Sequence, residues 1–202
     1  MADWRAIARG GFAIVWEARQ ESLNRLVAVK VDERKLDSEA EQRRFLREAG
    51  AAGRMSGHPG IVTVHDAGLL GDDRPFLVME LCPGGSLTRW MTKEPRPSQR
   101  RVREVGVRIA DALAASHLLG VLHRDVKPAN IQITTTGNVK VLDFGIAKVA
   151  ATAAPGTAVA TSEGRVLGTP AYMSPEQARG AVVGKQSDVW AFGCVLFEMM
   201  SG

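Results

Sequence analysis

Apolar stretches of strand length dominate the first part of the chain. They run from Ile7 to about Val31, from Ile61 to Leu70 and from Pro75 to Leu81, with turns between them. The run Pro83-Gly84-Gly85-Ser86 then interrupts the pattern. This alternation predicts a small lobe built mainly of β-sheet, followed by a break.

Helical periodicity accounts for the other predicted elements. Ser38 and Glu41 have the spacing of a capping box, which predicts a helix that ends near Met55. A longer helix is predicted between about 98 and 120, because one stripe recurs there at three- and four-residue intervals: Val102, Val105, Ile109, Leu113 and His117. His117 on this stripe is typical of a packed core histidine. A last helix, apolar on nearly all sides, is predicted from Asp188 to Met200.

Composition narrows the cellular setting and the class of partner. The two cysteines, Cys82 and Cys194, lie far apart and offer neither a disulfide framework nor metal-ligand spacing, which indicates a reducing, cytoplasmic compartment. No stretch approaches the ~18 apolar residues that a membrane span needs, although an anchor beyond residue 202 in a longer form stays open. Lys and Arg are spread along the chain without interleaved aromatics, so nucleic-acid binding has little support.

Two short motifs carry the candidate chemistry. The first is His123-Arg124-Asp125-Val126-Lys127-Pro128-Ala129-Asn130, and Asp143-Phe144-Gly145 follows a short strand later. Phosphoryl transfer needs an acceptor for a hydroxyl proton, oxygen ligands for magnesium and a cation near the phosphoryl group. Asp125, Asn130, Asp143 and Lys127 supply this set. Either motif alone is weak, but chance does not readily give both in this order and at this separation.

These motifs resemble the catalytic loop and the magnesium loop of protein kinases. The run from Gly168 to Gln177 is most similar to that of bacterial eukaryotic-like (Hanks-type) serine/threonine kinases. The resemblance implies an α+β, two-lobed fold: a small lobe of antiparallel sheet plus one helix over 1–80, a hinge at 81–85 and a mainly helical large lobe over 86–202. The chain stops soon after the central helix, so the large lobe is expected to be incomplete, with a C-terminal truncation.

The resemblance also implies the roles of individual residues. Those expected to act in catalysis are Asp125, Lys127, Asn130, Lys30 and Glu48, with Lys30 and Glu48 as an ion pair. ATP is expected to bind at Ile7, Ala8, Gly10, Gly11, Val15, Ala28, Lys30, Met79 (the gatekeeper), the backbone of Glu80 and Cys82, Gln132 and Asp143. Asn130 and Asp143 are the expected ligands of Mg²⁺, with Mn²⁺ as an alternative.

The implied activity is transfer of the γ-phosphoryl group of ATP to Ser and Thr hydroxyls of proteins, including autophosphorylation, for which a homodimer is one arrangement. Serine/threonine specificity is implied by Lys127 and Thr169. Arg124 beside Asp125 implies control by a phosphate in the activation loop, and Thr161 and Ser162 are the expected acceptors.

Four features depart from the family pattern. Alanine replaces two glycines of the phosphate loop at Ala8 and Ala13, and Gln132 stands where an apolar floor is usual. Glu176 is expected to lack its usual arginine partner, which would come from beyond the last residue. These departures keep a second interpretation open, a pseudokinase that binds nucleotide or a partner without turnover. A non-kinase interaction domain is the third and is disfavoured by the ordered motifs.

Overall fold

The computed structural model describes residues 4–144 and 170–202, and its contacts divide the chain into two compact units. The first unit comprises Met1–Gly57 and Val62–Cys82, and the second comprises His58–Ile61 and Pro83–Gly202. The predicted residues Gly145 and Thr169, and the candidate phosphorylation sites Thr161 and Ser162, lie outside the described residues.

The short segment 58–61 belongs with the second unit, although its sequence position assigned it to the small lobe. The Val141 N–H donates to the Gly60 carbonyl at 2.8 Å, and Lys140 Nζ donates to the Ile61 carbonyl at 3.3 Å. Ile61 also makes an isolated parallel bridge to Val141. Because these bonds tie 58–61 to a strand that comes 80 residues later, the local strand pattern could not reveal them.

The first unit is built on a five-stranded antiparallel sheet in the order β1-β2-β3-β5-β4. Its strands are β1 Arg5–Arg9, β2 Ala13–Gln20, β3 Arg25–Asp32, β4 Val64–Leu69 and β5 Pro75–Glu80. The predicted strands are therefore confirmed, except that β4 begins at Val64. One face of the sheet carries an apolar cluster of Ala18, Val27 and Val29, against which Trp16, Val31 and Val78 pack.

The helix of the first unit, α1 (Glu39–Arg54), begins where the capping box predicted it. The Ser38 hydroxyl accepts from the Glu41 N–H, and the Glu41 carboxylate accepts from the Ser38 N–H, so two of the otherwise unsatisfied helix N–H groups are paired. The helix buries Phe45, Ala49 and Ala52 on one side and packs against β4.

The second unit is mainly helical. It contains α2 Leu87–Lys93, α3 Gln99–Leu118, α4 Pro175–Ala178, α5 Lys185–Ser201 and the hairpin β6 Ile131–Ile133 with β7 Val139–Val141. The helix α2 was not among the predicted elements, because seven residues are too few to show a clear apolar periodicity.

The core of the second unit lies between α3 and α5. The predicted α3 stripe is buried through Val102, Val105, Ile109 and Leu113, and α5 contributes Ala191, Val195 and Met199. A Cβ on Gly106 would lie 2.9 Å from Leu196 Cδ2, so this glycine lets the two helices approach closely. The last residue of the stripe, His117, reaches Asp188 of α5.

The opposite face of α5 is exposed and apolar. Val189, Phe197 and Met200 retain 61%, 69% and 65% of their accessible surface, in line with the apolar surface that the sequence predicted. No helix within the described ranges combines the length and the apolar character that crossing a membrane would require.

Candidate active site

The loop between α3 and β6 organises its side chains around Asp125. Asn130 Nδ2 donates both to the Asp125 backbone carbonyl at 2.9 Å and to its Oδ2 at 3.0 Å. Lys127 Nζ lies 2.8 Å from the same oxygen. Asp125, Lys127 and Asn130, which the sequence predicted to act together, are therefore brought into one hydrogen-bonded group.

His123 contacts this group with a buried, neutral ring. Its Nδ1 accepts from the Asp125 N–H at 3.2 Å, so Nε2 carries the proton and donates to the Leu142 carbonyl at 2.7 Å. The ring packs on Phe144 with a centroid separation of 4.8 Å. Burial lowers the pKa of His123, and the nearby carboxylates Asp188 and Asp125 offset this only in part.

Asp188 of α5 fixes the backbone of the same loop. It is almost fully buried, and it accepts from the His123 N–H at 2.9 Å, the Arg124 N–H at 2.7 Å and His117 Nε2 at 2.7 Å. Arg124 has a left-handed backbone, with φ of 63°. A non-glycine residue keeps this conformation only where its surroundings hold it, and Asp188 is one such restraint.

Asn130 and Asp143 provide oxygen ligands suited to a hard cation. Because Asn130 Nδ2 is committed to Asp125, the amide turns its Oδ1 away from that carboxylate. Asp143 follows β7 after one residue with φ of 59°, and the Leu142 N–H before it donates to the Asn130 carbonyl at 2.8 Å. Among the described residues no group of three or more His, Cys, Asp or Glu could hold a metal. A lone amide and carboxylate still fit Mg²⁺, which takes few protein ligands and completes its shell with phosphate oxygens and water.

In the first unit, strand register gathers several predicted nucleotide residues on one face of the sheet. Residues directly opposite each other in antiparallel strands share a face. Ala8 is opposite Val15, Val15 is opposite Lys30, and Ala28 is opposite Met79. The alternation along β3 puts Ala28 and Lys30 on the same side, away from the apolar cluster of Val27 and Val29.

Lys30 and Glu48, the predicted ion pair, both belong to the first unit, on β3 and α1. Glu48 Oε1 lies 3.5 Å from Arg44 Nε, one helical turn earlier. An i, i+4 contact of this kind contributes little to stability. The Lys30–Glu48 pair stays a prediction.

The turn between β1 and β2 contains the predicted phosphate loop. Gly10 N–H donates to the Ala13 carbonyl at 2.8 Å, and Gly11 has no atom within 4 Å of the position its Cβ would take. Ile7 lies at the bulge in β1 and is partly exposed. A contact that the sequence did not reveal holds this turn: the Arg34 guanidinium lies 4.5 Å from the centre of the Phe12 ring.

The end of β5 carries the predicted hinge contacts. Met79, the predicted gatekeeper, is buried, and Cys82 is half-buried. The Glu80 N–H donates to the Thr63 carbonyl at 2.9 Å, and its carboxylate accepts from the Thr63 N–H at 3.0 Å. In a hydrogen bond between Glu80 and adenine, the Glu80 carbonyl oxygen would therefore be the acceptor.

Gln132 occupies β6 between the buried residues Ile131 and Ile133, as strand alternation predicted. It is half-buried, lies opposite Lys140 and forms an isolated bridge with Ser86.

Two contacts around α4 were not predicted. Glu176, expected to lack a partner, accepts a short hydrogen bond from the Ser187 hydroxyl, and this bond lowers the pKa of Glu176. Tyr172 donates a short hydrogen bond to Glu198 of α5, and burial together with this bond raises the pKa of Tyr172.

A comparison with known protein families identifies the family of this chain. Residues 2–202 match the protein kinase domain family. The chain belongs to the protein kinase family. The matched range takes in the Asp125 loop, Asp143, Lys30 and Glu48, so both units are parts of one kinase domain.

Relatives of known name are bacterial serine/threonine kinases. PknK of Mycobacterium bovis is 43% identical over 196 residues, which are 97% of this chain and 17% of PknK. PknA of Mycobacterium tuberculosis is 43% identical over 202 residues, 98% of this chain and 46% of PknA. Pkn3 of Myxococcus xanthus is 42% identical over 201 residues, which are 97% of this chain and 36% of Pkn3. The kinase chain thus spans less than half the length of these relatives.

A solved structure shares the fold. The kinase domain of PknI from Mycobacterium tuberculosis superposes with a TM-score of 0.76 at 26% identity, over 98% of this chain and 72% of that one. The predicted α+β kinase fold, with an antiparallel sheet and one helix in the small lobe and helices in the large lobe, is confirmed.

Proposed function

We propose that this chain is a serine/threonine protein kinase domain that transfers the γ-phosphoryl group of ATP to Ser and Thr hydroxyls of proteins, its own among them. The observation that carries the proposal is the group around Asp125: a carboxylate oriented by Asn130 and paired with Lys127, in a loop fixed by Asp188. The names of the bacterial relatives support the Ser/Thr class.

In this mechanism Asp125 accepts the proton of the substrate hydroxyl, and Lys127 faces the charge that builds up on the transferred phosphoryl group. Asn130 has two tasks: its Nδ2 orients Asp125, and its Oδ1, together with Asp143, would hold the cation. The cation, Mg²⁺ or Mn²⁺, would neutralise charge on the β- and γ-phosphates. We assign nucleotide binding to the sheet face with Val15, Ala28, Lys30 and Met79.

The proposal is tested by phosphotransfer in the full natural chain. Asp125→Asn keeps the shape of the side chain and its contact with Asn130 but removes the proton acceptor, so turnover should fall by orders of magnitude while ATP affinity is kept. Asp143→Asn should abolish metal-dependent transfer. Asp111→Asn, on the exposed side of α3, is the matched control and should be as active as the wild type.

Separate readouts distinguish a kinase from a module that only binds. Wild-type chain that binds Mg-ATP with no transfer to a generic acceptor or to itself would favour the pseudokinase. Near-normal turnover of Asp125→Asn would refute the assigned role of Asp125. Running the assay with Mg²⁺ and with Mn²⁺ decides which cation supports the faster transfer.

A further inference from the structure

The peptide that joins Arg124 to Asp125 is held at both of its polar ends. Its N–H, which belongs to Asp125, donates to His123 Nδ1 at 3.2 Å. Its carbonyl, which belongs to Arg124, accepts from Gln177 Nε2 at 2.9 Å. The orientation of this peptide sets the direction in which Cα of Asp125 projects its carboxylate. Gln177, which donates the hydrogen bond to this carbonyl, lies outside both motifs.

Gln177 is itself fixed by the start of α4. The Ser174 hydroxyl accepts from the Gln177 N–H at 3.3 Å, and Gln177 Oε1 accepts from the Ser174 N–H at 3.1 Å, which completes a capping box. Ser174 is fully buried. With Oε1 bound to Ser174, the amide has one orientation available, and in that orientation Nε2 points at the Arg124 carbonyl.

The hydrogen bond from Gln177 restrains Arg124, a residue with a left-handed backbone. Arg124 has φ of 63°, and Asp188 holds its N–H while Gln177 holds its carbonyl. A left-handed non-glycine residue relaxes when its restraints are removed, and the neighbouring residue then turns with it. The carboxylate of Asp125 is the group that would turn.

We propose that Gln177 is a positioning residue for Asp125, and that α4 sets the geometry of the catalytic loop through this single amide. The inference rests on the proposed kinase function for its consequence in turnover. Its structural part, that the Gln177 amide orders the Arg124–Asp125 peptide, holds independently of turnover.

Gln177→Glu separates the proposed role from a role in capping α4. Glutamate has nearly the same shape and completes a capping box as well as glutamine does, but its carboxylate has no N–H for the Arg124 carbonyl. If Gln177 positions Asp125, Gln177→Glu and Gln177→Ala should both lower kcat by roughly 10- to 100-fold with KM for ATP unchanged. The controls are Gln186→Glu and Gln186→Ala, exposed in the first turn of α5, which should match the wild type.

The experiment has a second readout, amide hydrogen exchange at Arg124 and Asp125, measured in the full chain. Gln177→Glu should speed exchange at both amides by about tenfold or more, while exchange in the core of α3 stays unchanged. A Gln177→Glu variant with wild-type kcat and wild-type exchange would overturn the inference. Wild-type chain without transfer would refute the proposed function alone, because the exchange difference would still decide the role of Gln177.

Discussion

Burial lowers the pKa of His123, and the two hydrogen bonds of its ring fix the tautomer. Because burial lowers the pKa of His123, the unfolded chain binds more protons than the folded chain just below the ordinary histidine pKa of 6.5. The stabilising contribution is complete above that value and is lost as the pH falls from 6.5 towards the lowered pKa.

This difference predicts a pH dependence of stability that can be removed. The free energy of unfolding should fall with decreasing pH below about 6.5 by up to ~1.4 kcal/mol per pH unit from this residue. His123→Gln should flatten the slope, whatever its effect on stability at pH 7.5. His65→Gln is the comparison: His65 also has a lowered pKa, but it is much less buried, so its substitution should flatten the slope less than His123→Gln does. Urea unfolding at three pH values measures the slopes, and parallel slopes for wild type and His123→Gln would contradict the prediction.

Gly10 gives a second prediction at this scale. A Cβ there would come no closer than 3.6 Å to any neighbouring atom, so Gly10→Ala should leave the melting temperature nearly unchanged. If the turn covers the phosphates, the same Cβ should weaken ATP binding by about tenfold, or ~1.4 kcal/mol. Gly71→Ala, in open space on another turn, should leave both unchanged. Nucleotide titration with ATP and with adenosine tests this, because only ATP affinity should respond.

The grouping of Asp125, Lys127 and Asn130 could be predicted because these residues are close in sequence and their side-chain chemistry is specific. The supporting contacts escaped prediction for the opposite reason. Gln177 meets Arg124 across 53 residues, and the ring of Phe12 meets Arg34 on the far side of a hairpin. Neither polarity nor spacing says which distant groups will meet.

Among the elements, the segment 83–86 docks onto β6 so closely that there is no room for a Cβ at Gly84. The Ile133 N–H donates to the Gly85 carbonyl at 2.9 Å, Gly85 has φ of 105°, and a Cβ on Gly84 would lie 1.6 Å from the Ile133 carbonyl oxygen. The sequence predicted a break at this run and, by resemblance, a hinge at 81–85, but it did not predict that the run binds to the hairpin of the second unit.

Gly84→Ala should therefore destabilise the chain by about 1–3 kcal/mol or more, because the clash is with backbone that cannot rotate away. Gly71→Ala again serves as the control. Chemical denaturation followed by circular dichroism measures the change. A midpoint within error of the wild type would mean that the 83–86 segment does not dock as described.

Elements with strong local signals were predicted well. The capping box of α1 and the apolar stripe of α3 place these two helices to within a residue or two, since both signals lie within or next to the element. The helix α2 and the late start of β4 were not predicted, because a seven-residue helix and a strand boundary depend on tertiary contacts.

At the scale of the whole molecule, the exposed face of α5 is the feature that should govern behaviour in solution. Val189, Phe197 and Met200 lie on the side of α5 away from α3 and remain mostly exposed. Adjoining apolar side chains on one surface favour association. The fold class could be predicted from the order of motifs along the chain, whereas the side of α5 that packs against α3 could not, since the helix is apolar nearly all round.

The 202-residue chain should self-associate through this face. The double variant Val189→Ser and Phe197→Ser should lower light scattering at a given concentration without loss of helical content. Leu118→Ser, at an even more exposed apolar position at the end of α3, is the control and should scatter as the wild type does. Equal scattering from all three chains would exclude α5 as the cause.

The four residues 58–61 make the second unit discontinuous in sequence, and this limits how the domain can be divided or inherited. A recombination event or an engineered cut at residue 82 would leave Val141 without the Gly60 carbonyl and β7 without its neighbour at Ile61. The first piece would still contain the whole first unit, but the second piece would lack four residues of its own unit. Chimeras between this kinase and a relative should accordingly tolerate exchange of the second unit only when 58–61 comes from the same parent as β7.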